Sequence, residues 1–180
     1  MLATLVDKAF NEDDWVFEEK YDGIRVLVYK EGRRVSLLSR NDIDRTKNFP
    51  EIVASIAHLK QSALLLDGEI VVFDRSRVSR FQLLQQGKGH AFYAIFDCLY
   101  ADGTDLRKKP LSERRKMLEK VVPANDILLL SRRLSALTND YLRIIVTTRQ
   151  ISSSESRLPQ AGIAVFRIPC FTIQKVSLSE

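Results

Sequence analysis

The sequence predicts an α+β domain built on antiparallel sheets flanked by helices, and three observations lead to this fold class. Several short runs are rich in β-branched and aromatic residues, which favour strands. Two other segments repeat apolar residues at helical spacing. The runs do not alternate regularly as strand, helix, strand, so a parallel sheet of βαβ units is not predicted.

Six runs are predicted as strands: 15–20, 24–30, 33–39, 64–73, 91–99 and 127–131. The second and third form a hairpin around Glu31-Gly32, because glycine supplies the turn conformation at little cost. One helix is predicted after Pro50, which suits a first turn, with apolar positions 49, 52, 53, 56 and 59. Another begins at Ser112 and stops before Pro123.

Composition bounds the class of protein. The chain has 180 residues, 45% of them hydrophobic, which is enough for one domain with a real core. No apolar run is long enough to cross a membrane, the acidic N-terminal segment does not resemble a secretory signal, and two cysteines do not form a disulfide framework. These features predict a cytoplasmic location.

The charge balance is basic, with a net charge of +5 and a pI near 9.3. Such a balance favours a polyanionic partner but is also common in proteins that never bind nucleic acid. The basic clusters are predicted to form either a DNA-facing side or ordinary solvated surface; they lie at residues 33–34, 107–109, 114–116 and 132–133.

The most informative segment is Lys20-Tyr21-Asp22-Gly23, where a lysine ends an apolar strand and Asp-Gly turns the chain. A lysine amine becomes a nucleophile only after it loses its proton, which burial or neighbouring cations favour. Taken alone, the segment is equally consistent with a solvated lysine before a plain turn.

Further segments make the pattern more specific. Lys20-Tyr21-Asp22-Gly23 resembles the Lys-x-Asp-Gly motif of covalent nucleotidyltransferases, a superfamily of DNA ligases, RNA ligases and mRNA capping enzymes. The other matching segments follow in family order: Leu38-Ser39-Arg40-Asn41, Leu66-Asp67-Gly68-Glu69-Ile70 and Tyr93-Ala94-Ile95-Phe96-Asp97. Together with Met1-Leu2-Ala3-Thr4, they are similar to the adenylation domain of ATP-dependent DNA ligases of the bacterial ligase D type.

The resemblance implies a role for each of six residues. Lys20 would be the catalytic nucleophile that takes AMP from ATP, and Glu18 would contact the adenine amine. Arg25 and Arg40 would bind ribose and phosphate oxygens, for which a guanidinium fork is suited. Glu69 would bind the ribose hydroxyl or a Mg²⁺ or Mn²⁺ ion, and Phe96 would stack on adenine.

The likeness ends before the end of the chain. Residues 1–135 are predicted to form the adenylation core and 136–180 a divergent or truncated tail. The family's Glu-Gly-x-Val-x-Lys segment is not found there; the nearest register, at 161–166, has Ala161 in place of the glutamate and Phe166 in place of the lysine. The family's oligonucleotide-binding domain is likewise not found.

The resemblance implies an enzyme that forms lysyl-AMP and seals 3′-hydroxyl/5′-phosphate nicks in DNA repair, with ATP and a divalent metal ion as cofactors. The implied partners are nicked double-stranded DNA, Ku and a separate oligonucleotide-binding domain, at the bacterial nucleoid. Two alternatives stay open: an RNA ligase or capping-type nucleotidyltransferase, and a non-catalytic remnant that binds nucleotide or DNA. For the chain alone, the missing segments predict weak activity or none.

Overall fold

The computed structural model describes residues 15–123, 125–134 and 172–175. These residues form nine strands: β1 (Trp15–Glu18), β2 (Ile24–Glu31), β3 (Arg34–Ser39), β4 (Ala63–Val72), β5 (Ala91–Ala101), β6 (Thr104–Asp105), β7 (Leu128–Leu130), β8 (Arg133–Leu134) and β9 (Thr172–Lys175). They also form three α-helices, α1 (Pro50–Ala57), α2 (Phe81–Gln85) and α3 (Leu111–Val121), and a 3-10 helix at Thr46–Asn48.

The described residues fall into two compact units. The first contains 15–20, 132–134 and 172–175, and its sheet has the antiparallel order β8-β1-β9. Its central strand, β1, pairs Phe17 with Leu134 on one side and with Ile173 on the other. The segment that leads to Lys20 is therefore the middle strand of this unit.

The second unit contains 21–123 and 125–131 and is built on a sheet of order β3-β2-β4-β5-β6. Neighbouring strands along this order are antiparallel, whereas β7 pairs with β5 in parallel. The larger core lies where α1 and α3 pack with the sheet, and it includes Ile52, Ile56, Leu66, Ile95 and Leu118. A smaller aromatic cluster centres on Tyr21, Val71 and Ala94.

The predicted fold class is confirmed: a mixed sheet has flanking helices. The strands predicted from β-branched and aromatic runs appear at nearly the predicted bounds, and the β2–β3 hairpin turns at Gly32, whose φ is +57°. The prediction missed α2, because five residues are too few for a helical period to emerge. No helix in the described part of the chain has both the length and the apolar character needed to span a membrane.

One predicted basic surface cluster is wrong at two of its three positions. Arg114 and Arg115 on α3 are each only 6% exposed. Arg114 donates from Nε to the carboxylate of Asp97 on β5, at 2.9 and 3.0 Å. Arg115 donates to the backbone and hydroxyl oxygens of Ser131. These two guanidinium groups hold α3 to its neighbours rather than facing solvent.

Candidate active site

The loop that follows Lys20 approaches β4 so closely that only glycine fits at position 23. A Cβ atom there would lie 2.1 Å from the carbonyl oxygen of Ile70, a backbone atom. The Gly23 N–H donates to Oε1 of Glu69 at 2.9 Å. The Asp-Gly of the first motif and the glutamate of the Asp-Gly-Glu motif are therefore one hydrogen-bonded unit.

Asp22 is held from the other side by the segment that precedes α2. Its N–H donates to Oγ of Ser79 at 2.8 Å, and its Oδ2 accepts from the Phe81 N–H at 3.1 Å. Arg80, at the N-cap position of α2, makes no side-chain capping bond. The Asp22 carboxylate thus caps the N-terminus of α2 although Asp22 is not part of that helix. A negative charge is favoured at a helix N-terminus.

Replacing Ser79 by alanine should loosen this loop. Ser79 is only 4% exposed, and its loss removes the acceptor for the Asp22 N–H. We expect the free energy of unfolding to fall by about 1–2 kcal/mol, measured by urea denaturation. Ser76→Ala, at an exposed position in the same loop, is the matched control. Equal losses of unfolding free energy in the two variants would show that the hydrogen bond from the Asp22 N–H to Ser79 does not stabilise the loop.

Arg25 forms an ion pair with Asp67. Its Nε and Nη2 atoms donate to the two carboxylate oxygens at 3.0 and 2.6 Å, and Asp67 is 6% exposed. The hydrogen bond to Asp67 raises the pKa of Arg25; burial opposes this shift, and the charges of Asp67 and Glu69 add to it. Arg25 is directly opposite Glu69 in the β2–β4 register, so both carboxylates act on its charge.

Gly68, between Asp67 and Glu69, makes room for an aromatic ring. A Cβ atom at this position would lie 2.5 Å from the Ala94 carbonyl oxygen and 2.7 Å from the Tyr93 ring. The fully buried Tyr93 hydroxyl lies 3.2 Å from the Val26 carbonyl oxygen and 3.3 Å from that of Leu66. This packing braces β2, β4 and β5 directly behind the two carboxylates.

Phe96 lies at an irregularity of β5. Gly68 is opposite Ile95 and Asp67 is opposite Asp97, so Phe96 is an additional residue with no partner on β4. Such a bulge disrupts the strand pairing locally and bends the bulged strand. The half-buried Phe96 ring is nearly parallel to that of Tyr21, with a centroid distance of 6.3 Å and an interplanar angle of 19°.

Arg40 lies in a tight turn at the end of β3. The turn is closed by the Asp42 N–H, which donates to the Ser39 carbonyl oxygen at 2.9 Å, and by the Ser39 N–H, which donates to the Ile43 carbonyl oxygen at 3.0 Å. Arg40 is exposed. Because Ser39 pairs with Val26, this turn is at the same end of the sheet as Arg25.

Glu18 and Lys20 belong to the first unit. Glu18 ends β1, is buried at 3% exposure and pairs in register with Arg133 and Thr172. Lys20 is exposed and follows Glu19, whose N–H donates to the Arg132 carbonyl oxygen at 3.1 Å. The catalytic role of Lys20 and the adenine contact of Glu18 stay predictions.

The second unit thus brings Arg25, Glu69 and Phe96 to one face of the sheet. Arg25 pairs with Glu69, Glu69 pairs with Ala94, and Phe96 packs in the same aromatic cluster as Ala94. Their nucleotide contacts remain predictions, as does that of Arg40.

The roles predicted from the sequence do not include Ser79, the Asp67 carboxylate or the Tyr21 ring. Asp67 and Tyr21 lie inside the quoted motifs, and Ser79 stands just before the apolar residues of α2, a position typical of helix-start residues. The predicted tail register at 161–166 lies outside the described residues, as do Met1 to Thr4.

Comparison with known proteins agrees with this architecture. The chain superimposes on the solved structure of a mycobacterial DNA ligase D complexed with ATP and MES, with a TM-score of 0.66, 31% sequence identity, and coverage of 83% of this chain and 49% of that one. The ligase domain of Mycobacterium tuberculosis LigD gives a TM-score of 0.61 at 30% identity, with coverage of 78% and 46%. The fold is that of the nucleotidyltransferase domain of DNA ligases.

The family model described as the ATP-dependent DNA ligase domain matches residues 1–155. The chain therefore belongs to this family. It is 38% identical over 130 residues to the multifunctional non-homologous end joining protein LigD of Pseudomonas aeruginosa, covering 69% of this chain and 15% of that protein. It is 35% identical over 126 residues to a DNA ligase of Sulfolobus acidocaldarius, covering 62% of this chain and 21% of that protein.

Proposed function

We propose that the chain binds ATP and forms a covalent lysyl-AMP at Lys20, as the first step of DNA ligation. The observation that carries the proposal is the fixed loop directly after Lys20. Asp22 and Gly23 are held by Ser79, the α2 N-terminus and Glu69. Lys20 directly precedes these held residues in the chain, and limiting the positions open to a nucleophile favours its reaction.

In the proposed reaction the neutral Nζ of Lys20 attacks the α-phosphorus of ATP. The new N–P bond forms as the bond from the α-phosphorus to the bridging oxygen breaks, and pyrophosphate leaves with both electrons of that bond. The amine must have lost one proton before the attack, and a second leaves as the phosphoramidate forms. In the proposed complex the Arg25 guanidinium would offset negative charge on the phosphate oxygens.

Glu69 and Phe96, which share one sheet face, would make two of the remaining contacts with ATP. Glu69 uses one oxygen for Gly23, and its carboxylate would meet the ribose hydroxyl or a metal ion. Phe96, half-buried at its bulge, would offer a ring to adenine while Tyr21 supports it. Arg40, on its exposed turn, would contact phosphate oxygens. Glu18 would accept a hydrogen bond from the adenine amine.

A divalent metal ion would bind at this site together with the nucleotide, whose phosphates would supply further ligands. The described residues contain no group of three or more His, Cys, Asp or Glu side chains able to hold a metal ion. Mg²⁺ commonly binds through one or two carboxylates plus substrate phosphates, and Glu69 would supply one carboxylate. Bound Mg²⁺ or Mn²⁺ would neutralise charge on the phosphates during displacement.

The later steps would transfer AMP to the 5′-phosphate of a nick and join it to the 3′-hydroxyl. The chain spans 15–21% of the length of the two relatives described and about half of the solved ligase D domains. End joining is the activity in the name of the Pseudomonas relative. For the whole protein we propose a role in end-joining repair, with Ku and an oligonucleotide-binding domain as partners.

A second candidate is a remnant that binds nucleotide or DNA without catalysis. It is favoured by the lack of a Glu-Gly-x-Val-x-Lys segment in residues 134–180. The family's lysines there would contact the α-phosphate, and each lost donor typically lowers the rate by about 10²–10³-fold. An RNA ligase or capping-type activity would instead show itself by a preference for RNA ends or for GTP.

The test is incubation with ATP labelled at the α-phosphate and Mg²⁺, followed by a denaturing gel. We expect weak labelling that Lys20→Ala abolishes and that Lys47→Ala retains, because Lys47 is an exposed lysine in the 3-10 helix. Labelling that survives Lys20→Ala would refute the assigned nucleophile. No labelling, with ATP binding still detected by calorimetry, would favour the remnant, whereas strong labelling would contradict the expected weak activity.

A further inference from the structure

A concave site lies on the sheet of the second unit, away from the candidate active site. Its centre is a row of residues across three strands, Tyr29 on β2, Leu65 on β4 and Tyr100 on β5, which are direct partners in register. The cleft over this row, hereafter the tyrosine cleft, has a volume of about 380 Å³ and is also lined by Arg34 and Arg107. That volume is in the usual range for small-ligand sites.

The row is separate from the candidate active site although it uses the same sheet face. Tyr29 follows Arg25 by four residues on β2, so both side chains point to the same side of the sheet. At the usual rise of a strand, four residues correspond to about 13 Å. A molecule in the tyrosine cleft would therefore not occupy the position of Arg25 and Glu69.

The two tyrosines stand on either side of β4, one on β2 and one on β5. Tyr29 is 41% exposed, which is high for a large side chain on a strand inside a sheet. Because β4 separates β2 from β5, Tyr29 and Tyr100 stand about two strand spacings apart, or about 10 Å. Stacked rings prefer centroid separations of about 4.5–7 Å, so one inserted ring would lie at a stacking distance from each.

Cationic groups flank the row on both sides. Arg34 on β3 is exposed and lines the cleft beyond Tyr29. Arg107, beyond Tyr100, is 68% exposed and is oriented by Asp105, which accepts from its Nε and Nη2. These bonds do not use Nη1. Glu31 also lines the cleft, opposite Arg34 in register, and Lys30 is a further lining residue. The lining therefore carries three cationic side chains and one carboxylate, a balance that favours an anion.

We infer that the tyrosine cleft binds a single-stranded stretch of DNA, with one base over Leu65 between Tyr29 and Tyr100 and phosphates beside Arg34 and Arg107. Aromatic side chains that stack on bases, combined with flanking cations, are the usual means of binding unpaired strands. A base in a duplex is already stacked on its neighbours and does not fit between the rings. The choice of DNA as the polymer rests on the proposed function.

The direct test is photocrosslinking of the full chain to an oligothymidylate that carries 5-iododeoxyuridine, with the linked residues identified by mass spectrometry. We expect crosslinks at Tyr29 or Tyr100. Fluorescence anisotropy with labelled oligothymidylate should show weaker binding in Tyr29→Ala and Tyr100→Ala, by about 5- to 100-fold, as expected for the loss of one stacking contact. Tyr29→Phe keeps the ring and should bind like the unaltered protein.

Ile43→Ala is the matched control, since Ile43 is the other exposed large hydrophobic residue of the described part. The inference is overturned by crosslinks only at other residues, by unchanged affinity in the tyrosine variants, by equal competition from blunt duplex DNA, or by a lack of binding. It is also overturned if an acidic aromatic peptide, but not the oligonucleotide, binds at the cleft. The Tyr29 and Tyr100 variants should form lysyl-AMP as the unaltered protein does. A failure of the adenylation proposal would therefore be detected independently of oligonucleotide binding.

Discussion

Replacing Arg114 by methionine is expected to lower the free energy of unfolding by about 3–5 kcal/mol. The substitution leaves the Asp97 carboxylate buried without the guanidinium that now meets both its oxygens at 2.9 and 3.0 Å. It also removes the donor to the Lys109 carbonyl oxygen at 2.7 Å. Methionine keeps most of the side-chain volume, so the effect is mainly electrostatic. Urea denaturation followed by circular dichroism measures it.

Two further variants separate the charge effect from general damage to the protein. The double replacement Asp97→Leu with Arg114→Met removes both charges, and it should recover most of the lost stability. Arg107→Met breaks the exposed pair with Asp105 and should have little effect, because solvent screens exposed pairs. If Arg107→Met is as destabilising as Arg114→Met, burial is not what makes the Asp97–Arg114 pair important.

Gly23→Ala is expected to reduce lysyl-AMP formation by about 100-fold, the scale of a displacement of about 1 Å in a reacting group. The added Cβ would meet the Ile70 carbonyl oxygen at 2.1 Å, and β4 cannot retreat because it is paired on both sides. The loop would have to move and release its bond to Glu69. We expect a stability loss of about 1–3 kcal/mol in addition.

Gly32→Ala is the matched control for this substitution. A Cβ atom at Gly32 would meet nothing within 4 Å, but its φ of +57° is unfavourable for alanine. It should therefore cost stability of about 1 kcal/mol through backbone strain while leaving lysyl-AMP formation unchanged. Equal losses of labelling in Gly23→Ala and Gly32→Ala would show that the close approach to Ile70 does not matter for the reaction.

The sequence by itself determined strands β2 to β5 and β7 and helices α1 and α3 of the second unit. Runs of β-branched and other apolar residues in β2 and β4 favour strands, and Pro50 and Gly32 mark a helix start and a hairpin turn through local backbone constraints. The order of the motifs also identified the family. These properties depend on residues close together in the chain, where propensity and periodicity act directly.

Only the tertiary structure decided how the site residues are held. The residues next to Ser79 in the sequence do not indicate that its hydroxyl accepts a hydrogen bond from the Asp22 N–H, 57 residues away. The residues next to Asp67 likewise do not indicate that its carboxylate pairs with the Arg25 guanidinium. Arg114 and Arg115 have the sequence signature of a surface cluster, yet both are buried against β5 and Ser131. Partners in these interactions are brought together by strand register and helix packing. Because a residue's type does not encode the distant group that it will meet, its final role depends on the fold.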